Sequence, residues 1–344
     1  MKKINWGIIG LGNIANKFAD GFRHIPNSHL LAISSLNSGK LKSFQKKFSI
    51  DQKFLFSSYN DLINCKDIDI IYIALPHTHH FPWIIKCIKN NKNILTEKPA
   101  TINLNQIQKI YTKLKKSNIF FSEGLMYRYS PYFKKVLKIL KSGEIGQITS
   151  INSFYGFNSM ADKKIFGISV KKPDLNNRLF NKKLGGGAIL DLGSYPVSLA
   201  TLINKFVLNN KINHLKINSI NKKFGLNNID LNSQIDFTLN NKLSCKATVA
   251  LDINLNTTKI YGENGFMTLK DGFTPTNECI IEIKKKRNKK FSVNCGANIY
   301  AHEIREISKH LLKVKQRKKV NFPIIDILEI IENIKIIDKW VSYK

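Results

Sequence analysis

The sequence predicts an α/β protein with two domains: an N-terminal doubly wound parallel sheet and a C-terminal α+β domain with a large, mostly antiparallel open sheet. Strand-like and helix-like segments alternate through the first third of the chain, and longer segments of alternating apolar and polar residues dominate the rest. A chain of 344 residues is long enough for two hydrophobic cores. The change of pattern predicts domains at 1–122 and 123–344.

In the first domain, strands are indicated by short apolar runs and helices by amphipathic spacing. Strands that alternate with helices are typical of a parallel sheet, because each helix carries the chain back to the starting edge. The predicted elements are strands Ile4–Ile9, His29–Ser34, Ile68–Leu75, Asn93–Thr96 and Ile119–Ser122, with helices Ile14–His24, Lys40–Phe48, Pro82–Asn90 and Asn103–Lys116 between them.

The second domain opens with a predicted helix at Pro131–Ser142 and closes with two more at Tyr300–Lys315 and Pro323–Trp340. Between them, period-two alternation indicates half-buried antiparallel strands. These segments are Gln147–Phe157, His214–Phe224, Asp230–Leu239 and Lys242–Asp252. Because one face of such an open sheet needs covering, we expect a homodimer or a homotetramer.

A glycine-rich turn joins the first strand to the first helix, in the sequence Gly10-Leu11-Gly12-Asn13-Ile14-Ala15. Gly10 permits a tight turn, and Gly12 lets a pyrophosphate approach the backbone. The helix that begins near Asn13 and Ile14 offers unpaired N–H groups and the positive end of its dipole. The strand before and the helix after favour a dinucleotide site over a plain tight turn.

The end of the second strand decides which nicotinamide cofactor binds, since an acidic residue there favours NAD and a basic one NADP. The sequence is Ser34-Ser35-Leu36-Asn37-Ser38-Gly39-Lys40, with no Asp or Glu. Ser35 and Lys40 are therefore predicted contacts of the NADP phosphate. No arginine stands there, so NAD remains the alternative.

The formal charge is +31, from 55 Lys and Arg against 24 Asp and Glu. The lysines are spread over the whole chain, and the richest run, Lys284–Lys290, lies between two strand-like segments, as in an exposed hairpin turn. We therefore expect no nucleic-acid partner, although a basic surface favours anionic substrates.

The five cysteines have no CxxC spacing and are odd in number, which is typical of free thiols in a reducing compartment. No apolar run approaches the ~18 residues of a membrane span, and no signal-peptide core follows the basic N-terminus. We expect a soluble, cytoplasmic protein. The cluster His77-Thr78-His79-His80 lacks a second group of ligands, so no metal site is predicted.

Several motifs together resemble those of the glucose-fructose oxidoreductase, inositol dehydrogenase and MocA-like (Gfo/Idh/MocA) family. Besides the glycine turn they are Ile73-Ala74-Leu75-Pro76, Leu95-Thr96-Glu97-Lys98-Pro99, Met126-Tyr127-Arg128, the segment from Gly185 to Pro196, and Tyr300-x-x-Glu303. The similarity covers nearly the whole chain. Within the family, the glycine triplet followed by Asp191 and Tyr195 is most similar to the branch of dimeric dihydrodiol dehydrogenases and NADP-linked D-xylose dehydrogenases.

The resemblance implies a Rossmann domain and an NAD(P)-dependent oxidoreductase that acts on a sugar-like substrate. It implies Lys98 and Asp191 as catalytic residues and Tyr195 as the proton-transfer residue, with a cis peptide bond before Pro99. It also implies cofactor contacts in the loops that follow the strands. These are Ala74, Leu75, Pro76, His80, Glu97, Lys98 and Arg128.

The chemistry agrees with these residue types, because oxidising an alcohol needs a base for the hydroxyl proton while the hydride leaves for the nicotinamide. The unperturbed pKa of a tyrosine is near 10, and a cation such as Lys98 would stabilise the phenolate and lower it. If the segment is helical, Asp191 shares a face with Tyr195 at i to i+4 and orients the substrate or the lysine.

Tyr155 and Arg178 are predicted substrate contacts beside Asp191 and Tyr195. An arginine offers planar donors to hydroxyls and anions, yet Arg128 and Arg178 could equally form surface ion pairs. A non-catalytic regulator that senses the dinucleotide or a sugar is the alternative function. Such a sensor would need no proton-transfer set.

Overall fold

The computed structural model describes residues 3–165, 168–172, 174, 177–296, 298–315 and 324–343. The chain divides into two compact units, Met1–Ser130 with Ala297–Ile331 and Pro131–Gly296 with Glu332–Lys344. The predicted boundary at residue 122 differs from this division in two ways. The first unit continues to Ser130, and it also takes up a C-terminal segment that no local pattern in the sequence distinguishes from the second domain.

The first unit contains a six-stranded sheet of parallel strands in the order β3-β2-β1-β4-β5-β6. The sheet confirms the predicted doubly wound architecture. Its elements are β1 Ile4–Ile9, α1 Asn13–Asp20, β2 Ser28–Ser34, α2 Ser38–Phe48, β3 Leu55–Phe56, α3 Tyr59–Asn64, β4 Ile70–Ile73, α4 His77–Lys89, β5 Asn93–Glu97, α5 Leu104–Leu114 and β6 Phe121–Gly124.

The strand order determines where a ligand can bind. β1 pairs with β2 on one side and with β4 on the other. Strands β2 and β3 are therefore added on one side of β1, and β4, β5 and β6 on the other. In parallel sheets the loops at the carboxyl ends of two such strands part and leave a crevice. The glycine turn follows β1 and the segment Ala74–Pro76 follows β4, which places both predicted motifs at this point.

Helix α4 begins five residues before the predicted start at Pro82. Pro76 is the residue before the helix, and its extended backbone lets α4 start at His77. Pro82 then lies in the second turn, where it removes one backbone donor without ending the helix. The short elements β3 and α3 were not predicted, because two and six residues carry too little periodicity.

The second unit contains an eight-stranded sheet in the order β10-β11-β12-β7-β13-β14-β15-β16. Only β7 and β12 pair in parallel, which confirms the predicted mostly antiparallel sheet. The elements are α6 Pro131–Lys141, β7 Ile148–Gly156, β8 Ala161–Ile165, β9 Ile168–Lys172, α7 Ala188–Leu192, α8 Ser194–Phe206, β10 Leu215–Phe224, β11 Asp230–Leu239, β12 Leu243–Ala250, β13 Leu255–Gly262, β14 Gly265–Lys270, β15 Glu278–Lys284 and β16 Lys289–Asn294.

The two faces of this sheet differ in burial. Ile151, Tyr155 and Val249 lie on the face that packs against α7 and α8, and all three are buried. Phe154, Tyr261 and Phe266 lie at alternate positions, on the opposite face, and stay partly exposed. The second face is therefore not covered by the described part of this chain.

Two helices complete the chain, α9 Ile299–Lys315 and α10 Ile327–Ser342. In the first unit, the indole N–H of Trp6 donates to Ser308 Oγ on α9 at 3.0 Å. In the second, the indole N–H of Trp340 on α10 donates to Ser233 Oγ at 2.8 Å. The predicted helix at 323–340 is thus present from residue 327, and Pro323 itself lies outside the described residues.

None of the helices in the described ranges is, by itself, sufficiently long and apolar to span a membrane. One bent pair, Lys182–Leu192 with Ser194–Phe206, meets the length and composition criteria together.

Candidate active site

The glycine turn after β1 has the shape that a pyrophosphate needs. Gly10 has a φ of +89°, and a β carbon on it would lie 2.5 Å from the carbonyl oxygen of Ala74. Only glycine can therefore bring the end of β1 this close to the end of β4. A β carbon on Gly12 would have no neighbour within 4 Å, so open space adjoins the backbone there.

Helix α1 begins in this open space. Its first turn holds no acidic residue, and no side chain among the described residues caps its N-terminus. The first N–H groups of the helix, near Asn13 and Ile14, have no intrahelical acceptors and carry the positive end of the dipole. The residues at this turn therefore fit a dinucleotide pyrophosphate.

The end of β2 forms a second polar loop. The Ser35 hydroxyl accepts a hydrogen bond from the backbone N–H of Asn37 at 3.1 Å. The Asn37 side chain in turn accepts one from the backbone N–H of Lys40 at 2.9 Å and caps α2. The side chain of Lys40 is exposed, whereas Ser35 is buried. These residues can hold a phosphate, and the loop offers no carboxylate to repel one.

Lys98 follows β5 at the same edge of the sheet as the glycine turn, and the peptide bond between Lys98 and Pro99 is cis. Lys98 and Glu97 are both buried. The Glu97 carboxylate accepts the backbone N–H of Lys98 at 3.3 Å and the hydroxyl of Tyr72. Burial, followed by the charge of Glu97, raises the pKa of Tyr72 well above its usual value, so this phenol remains a donor.

His80 joins the loops that follow β4 and β5. Its Nδ1 lies 2.8 Å from the carbonyl oxygen of Pro99, and its Nε2 lies 2.8 Å from that of Leu75. Carbonyl oxygens only accept hydrogen bonds, so a ring N–H of His80 donates to at least one of the two. His80 is fully buried and links the loop after β4 to the loop that carries Lys98.

Arg128 forms a buried ion pair. Its Nη1 lies 2.6 Å from Glu329 Oε1, and the two side chains are 2% and 0% exposed. The ion pair engages Nη1, whereas Nη2 has no hydrogen-bond partner among the described residues, and the cofactor contact of Arg128 stays a prediction. A sequence motif does not reveal such a partner 201 residues away.

A further buried carboxylate, Glu123, supports the turn after Lys98. It accepts the backbone N–H of Ala100 at 2.7 Å, and its Oε2 has no hydrogen-bond partner among the described residues. Burial raises the pKa of Glu123 to about 7, while the Ala100 hydrogen bond and the charge of Arg128 oppose the rise. Sequence reasoning missed Glu123, which lies inside the four-residue strand β6 and belongs to no motif.

In the second unit, the predicted substrate residues form one cluster. Arg178 Nη2 lies 2.9 Å from Asp191 Oδ1, with Asp191 buried and Arg178 partly exposed. The rings of Tyr155 and Tyr195 contact edge to face, with centroids 4.9 Å apart. Four residues that the sequence assigned to the substrate thus lie on α7, α8, β7 and the loop before α7.

Phe273 completes this cluster and was not predicted. Its ring centroid lies 5.2 Å from that of Tyr155 and 5.7 Å from that of Tyr195. It follows β14 in a turn at Asp271 and Gly272, and a lone phenylalanine in a turn carries no signal in the sequence. The three rings give the site an apolar wall beside an ion pair.

The surroundings of Tyr155 disfavour its phenolate form. Burial, followed by the negative charge of Asp191, raises the pKa of Tyr155 above its usual value. A hydrogen bond to the Thr274 side chain acts in the opposite direction, with less effect. Tyr155 is therefore held as a neutral phenol, which suits a hydrogen-bond donor and not a base.

Asp191 and Tyr195 do not share one helix, contrary to the i to i+4 expectation. Gly193 separates α7 from α8, and the segment Lys182–Leu192 meets α8 at 45°. A β carbon on Gly193 would lie 2.5 Å from the carbonyl oxygen of Ile189, so the bend requires glycine. The bend, and not a straight helical face, sets the positions of the two side chains.

The glycine triplet allows the loop that carries Arg178 to pack against the start of α7. A β carbon on Gly186 would lie 2.5 Å from the carbonyl oxygen of Leu179 and 2.7 Å from that of Arg178. The N–H of Gly187 donates to the carbonyl oxygen of Leu179 at 2.9 Å. The triplet is thus a site of close backbone packing and not a flexible linker.

Comparison with known proteins matches residues 4–125 to an oxidoreductase family described as having an NAD-binding Rossmann fold. Residues 133–268 match the GFO/IDH/MocA C-terminal domain. Trans-1,2-dihydrobenzene-1,2-diol dehydrogenase of Xenopus tropicalis is 31% identical over 200 residues, which are 58% of this chain and 56% of the relative. D-xylose 1-dehydrogenase (NADP+) of Hypocrea jecorina is 31% identical over 210 residues, 57% of this chain and 51% of the relative. The chain therefore matches just over half the length of these relatives.

Solved structures with the same fold align over nearly the whole chain. A 3-ketoreductase from Actinomadura kijaniata, solved with NADP and TDP-benzene, has a TM-score of 0.83 at 20% identity, with 99% of this chain and 98% of that chain covered. An aldose-aldose oxidoreductase from Caulobacter crescentus has a TM-score of 0.81 at 17% identity, with 99% and 97% covered. At these identities the likeness shows the fold.

The first prediction concerns the open space beside Gly12. We expect Gly12→Ala to fold normally, because its β carbon meets no neighbour, and to weaken NADP binding by about tenfold or more through contact with the pyrophosphate. Fluorescence titration with NADPH and a thermal melt measure the two effects. Unchanged affinity in a normally folded variant would place the cofactor elsewhere.

The second prediction concerns the buried carboxyl of Glu123. A carboxyl whose pKa is raised in the folded state stabilises the protein below its unfolded pKa and loses that stabilisation as the pH rises through the folded value, about 7. The neighbouring charges are those of Arg128, Glu97 and Lys98. Glu123→Gln remains neutral, so its free energy of unfolding relative to wild type should rise by about 2–3 kcal/mol between roughly pH 5 and pH 8.

Denaturant unfolding of both proteins at several pH values measures this difference. A relative stability that is constant with pH would mean that Glu123 ionises at its ordinary pKa in the folded protein.

Proposed function

Because the chain belongs to the Gfo/Idh/MocA oxidoreductase family, we propose that it is an NADP-dependent dehydrogenase or reductase. Its substrate is a sugar, a sugar derivative or a related cyclic polyol, and hydride transfer takes place between the nicotinamide and a hydroxyl-bearing or carbonyl carbon. The observation that carries this proposal is the presence of Lys98, Asp191 and Tyr195 together in a chain of this family. A sensor would have no need of this set.

The residues of the loop after β2 favour NADP over NAD. This loop presents Ser35, Asn37 and Lys40 and no carboxylate for the ribose hydroxyls of NAD. The bound cofactor supplies hydride chemistry, by accepting a hydride from the substrate carbon or returning it. The NADP specificity printed in the name of the Hypocrea jecorina relative supports the same assignment.

Tyr195 is proposed as the general acid and base. It takes the hydroxyl proton as the alcohol is oxidised and returns a proton to the carbonyl oxygen in the reverse direction. Lys98 is proposed to stabilise the phenolate and so to lower the pKa of Tyr195. The raised pKa of Tyr155 favours a role as a hydrogen-bond donor to the substrate over that of a base.

Asp191 and Arg178 are proposed to orient the substrate. Their ion pair leaves Arg178 partly exposed, so the guanidinium can donate to hydroxyl oxygens or to an anionic group. The rings of Tyr155, Tyr195 and Phe273 offer an apolar wall to the C–H face of a sugar ring. The names of the relatives, a diol dehydrogenase and a xylose dehydrogenase, support a small hydroxylated substrate.

The activity test measures absorbance of reduced nicotinamide with NADP or NAD and a panel of aldoses, inositols, nucleotide sugars and trans-dihydrodiols. We expect turnover with one group and a preference for NADP. Tyr195→Phe and Lys98→Met should each lower kcat by about 10²–10⁴ and retain NADPH binding.

The matched control is Tyr155→Phe, which removes a hydroxyl from the adjacent ring of the same cluster and should retain far more turnover than Tyr195→Phe. Equal activity of Tyr195→Phe and wild type would contradict the acid and base assignment. A wild-type protein that binds NADPH and turns over nothing in either direction would favour the regulatory alternative.

We also propose that the protein forms a homodimer or homotetramer through the partly exposed face of the eight-stranded sheet. Phe154, Tyr261 and Phe266 lie on this face, and the rings of Tyr261 and Phe266 contact each other with centroids 5.5 Å apart. Aromatic side chains on a broad sheet face are typical of subunit interfaces. A reducing, cytoplasmic compartment is proposed from the five free thiols.

Sedimentation at micromolar concentration tests the assembly. We expect a dimer or tetramer for wild type and a smaller species for Phe154→Asp, because a charge buried in the interface is unpaired. Leu36→Asp is the control, since Leu36 is a large apolar residue that is 75% exposed in the first unit. A monomeric wild type, or an unchanged assembly in Phe154→Asp, would contradict the proposal.

A further inference from the structure

The start of α7 is held by a side chain from the sheet. Asp230, the first residue of β11, accepts the backbone N–H of Ile189 at 2.7 Å through its Oδ2. The N–H of Ala188 and the N–H of Asp230 itself also hydrogen-bond to this carboxylate. The first N–H groups of a helix have no intrahelical acceptors, so the carboxylate caps α7 in place of a local residue.

Gly187 leaves room for this cap. It precedes α7 with a φ of +116°, a conformation that side chains rarely adopt. A β carbon on Gly187 would lie 2.1 Å from Asp230 Oδ1. The third glycine of the triplet is therefore required twice, once by its backbone conformation and once by the carboxylate beside it.

Helix α7 has only five residues, so its first turn is also the turn that carries Asp191. The N–H of Asp191 donates to the carbonyl oxygen of Gly187 at 3.1 Å. At the other end, Gly193 donates to the carbonyl oxygen of Ile189 at 2.8 Å, and α8 with Tyr195 begins at the next residue. A displacement of the capped turn would therefore move both Asp191 and Tyr195.

We infer that Asp230 is a positioning residue of the active site, whose carboxylate holds the first turn of α7 and so sets the positions of Asp191 and, through the bend at Gly193, Tyr195. Asp230 makes no contribution to the chemistry itself. The inference rests on the proposed function, because it assigns a role relative to Asp191 and Tyr195.

The charge of the cap has a predictable pH dependence. Burial raises the pKa of Asp230 to about 6, against the opposing effect of its backbone hydrogen bonds and of Lys222. Lys222 on β10 is the charged side chain that faces Asp230, and α7 presents backbone N–H groups to it. Below about pH 6 the carboxyl is protonated and the cap weakens, so wild type and a neutral variant become more alike.

The experiment compares the full-length wild type with Asp230→Asn and with a control, Asp51→Asn. Asp51 is an exposed residue of the first unit whose carboxylate also accepts a backbone N–H, that of Lys53 at 3.1 Å. Melting temperature, NADPH affinity, kcat and KM are measured for each, using the substrate found in the activity panel. We expect kcat of Asp230→Asn to fall about tenfold or more, NADPH affinity to remain within twofold, and Asp51→Asn to match wild type.

The pH profile separates positioning from a general loss of stability. The ratio of wild-type to Asp230→Asn kcat/KM should be largest above about pH 7 and should shrink below about pH 6. A loss caused only by partial unfolding would follow the opposite trend, because the raised pKa of Asp230 means that its ionisation lowers the stability of wild type relative to the neutral variant as the pH rises. Asp230→Glu, which retains the charge and moves it by one methylene, gives a second folded variant with an expected loss in kcat.

The outcomes are distinct. Wild-type kcat and pH profile in folded Asp230→Asn and Asp230→Glu would overturn the inference and leave the proposed function standing. A wild type that binds NADPH but turns over no substrate would overturn the proposed function and this inference with it. A selective loss of kcat in the Asp230 variants supports the positioning role.

Discussion

Close approach of backbone to backbone, at glycines that leave no room for a β carbon, is the constraint on which both parts of the candidate site depend. A β carbon on Gly10, at the end of β1, would lie 2.5 Å from the Ala74 carbonyl oxygen. At Gly186 the same distance separates a β carbon from the Leu179 carbonyl. The first approach opens a phosphate site at the switch point of the parallel sheet, and the second fixes the loop of Arg178 against α7.

Charge is distributed in opposite ways on the surface and in the interior. The chain carries 55 basic residues against 24 acidic ones, yet Glu97, Glu123, Glu303 and Glu329 are all buried in the first unit. Glu329 pairs with Arg128, and Glu97 and Glu123 accept backbone N–H groups on either side of the Lys98–Pro99 bond. Burying these groups costs stability unless they are paired or protonated, and these hydrogen bonds and the ion pair offset part of that cost.

Much of the parallel sheet could be predicted from the sequence, because each strand is an apolar run and each helix has its own period. The glycine turn, the lysine after β5 and the tyrosine of α8 were also accessible, since each belongs to a local motif. The start of α4 was misplaced because Pro82 suggests a helix start and is instead accommodated within the helix.

Residues that act through distant partners could not be predicted. The pairing of Arg128 with Glu329 is one example, and Phe273 and Asp230 come from strands or turns far from α7 in the sequence. The bend at Gly193 is a similar case, because a helical wheel through Asp191 and Tyr195 assumes a straight helix. Sequence periodicity reports one element at a time, whereas these residues depend on how the elements pack.

The central claim is hydride transfer between the nicotinamide and a carbon of a hydroxylated substrate, and isotope transfer tests it most directly. The protein is incubated with NADP and substrates whose carbon-bound hydrogens are deuterium, drawn from aldoses and cyclic polyols, and the cofactor is analysed by mass spectrometry. We predict reduced cofactor that carries one deuterium, with the label acquired about a hundredfold or more slowly in Tyr195→Phe. Cofactor that binds and never acquires deuterium from any of these substrates would contradict the claim.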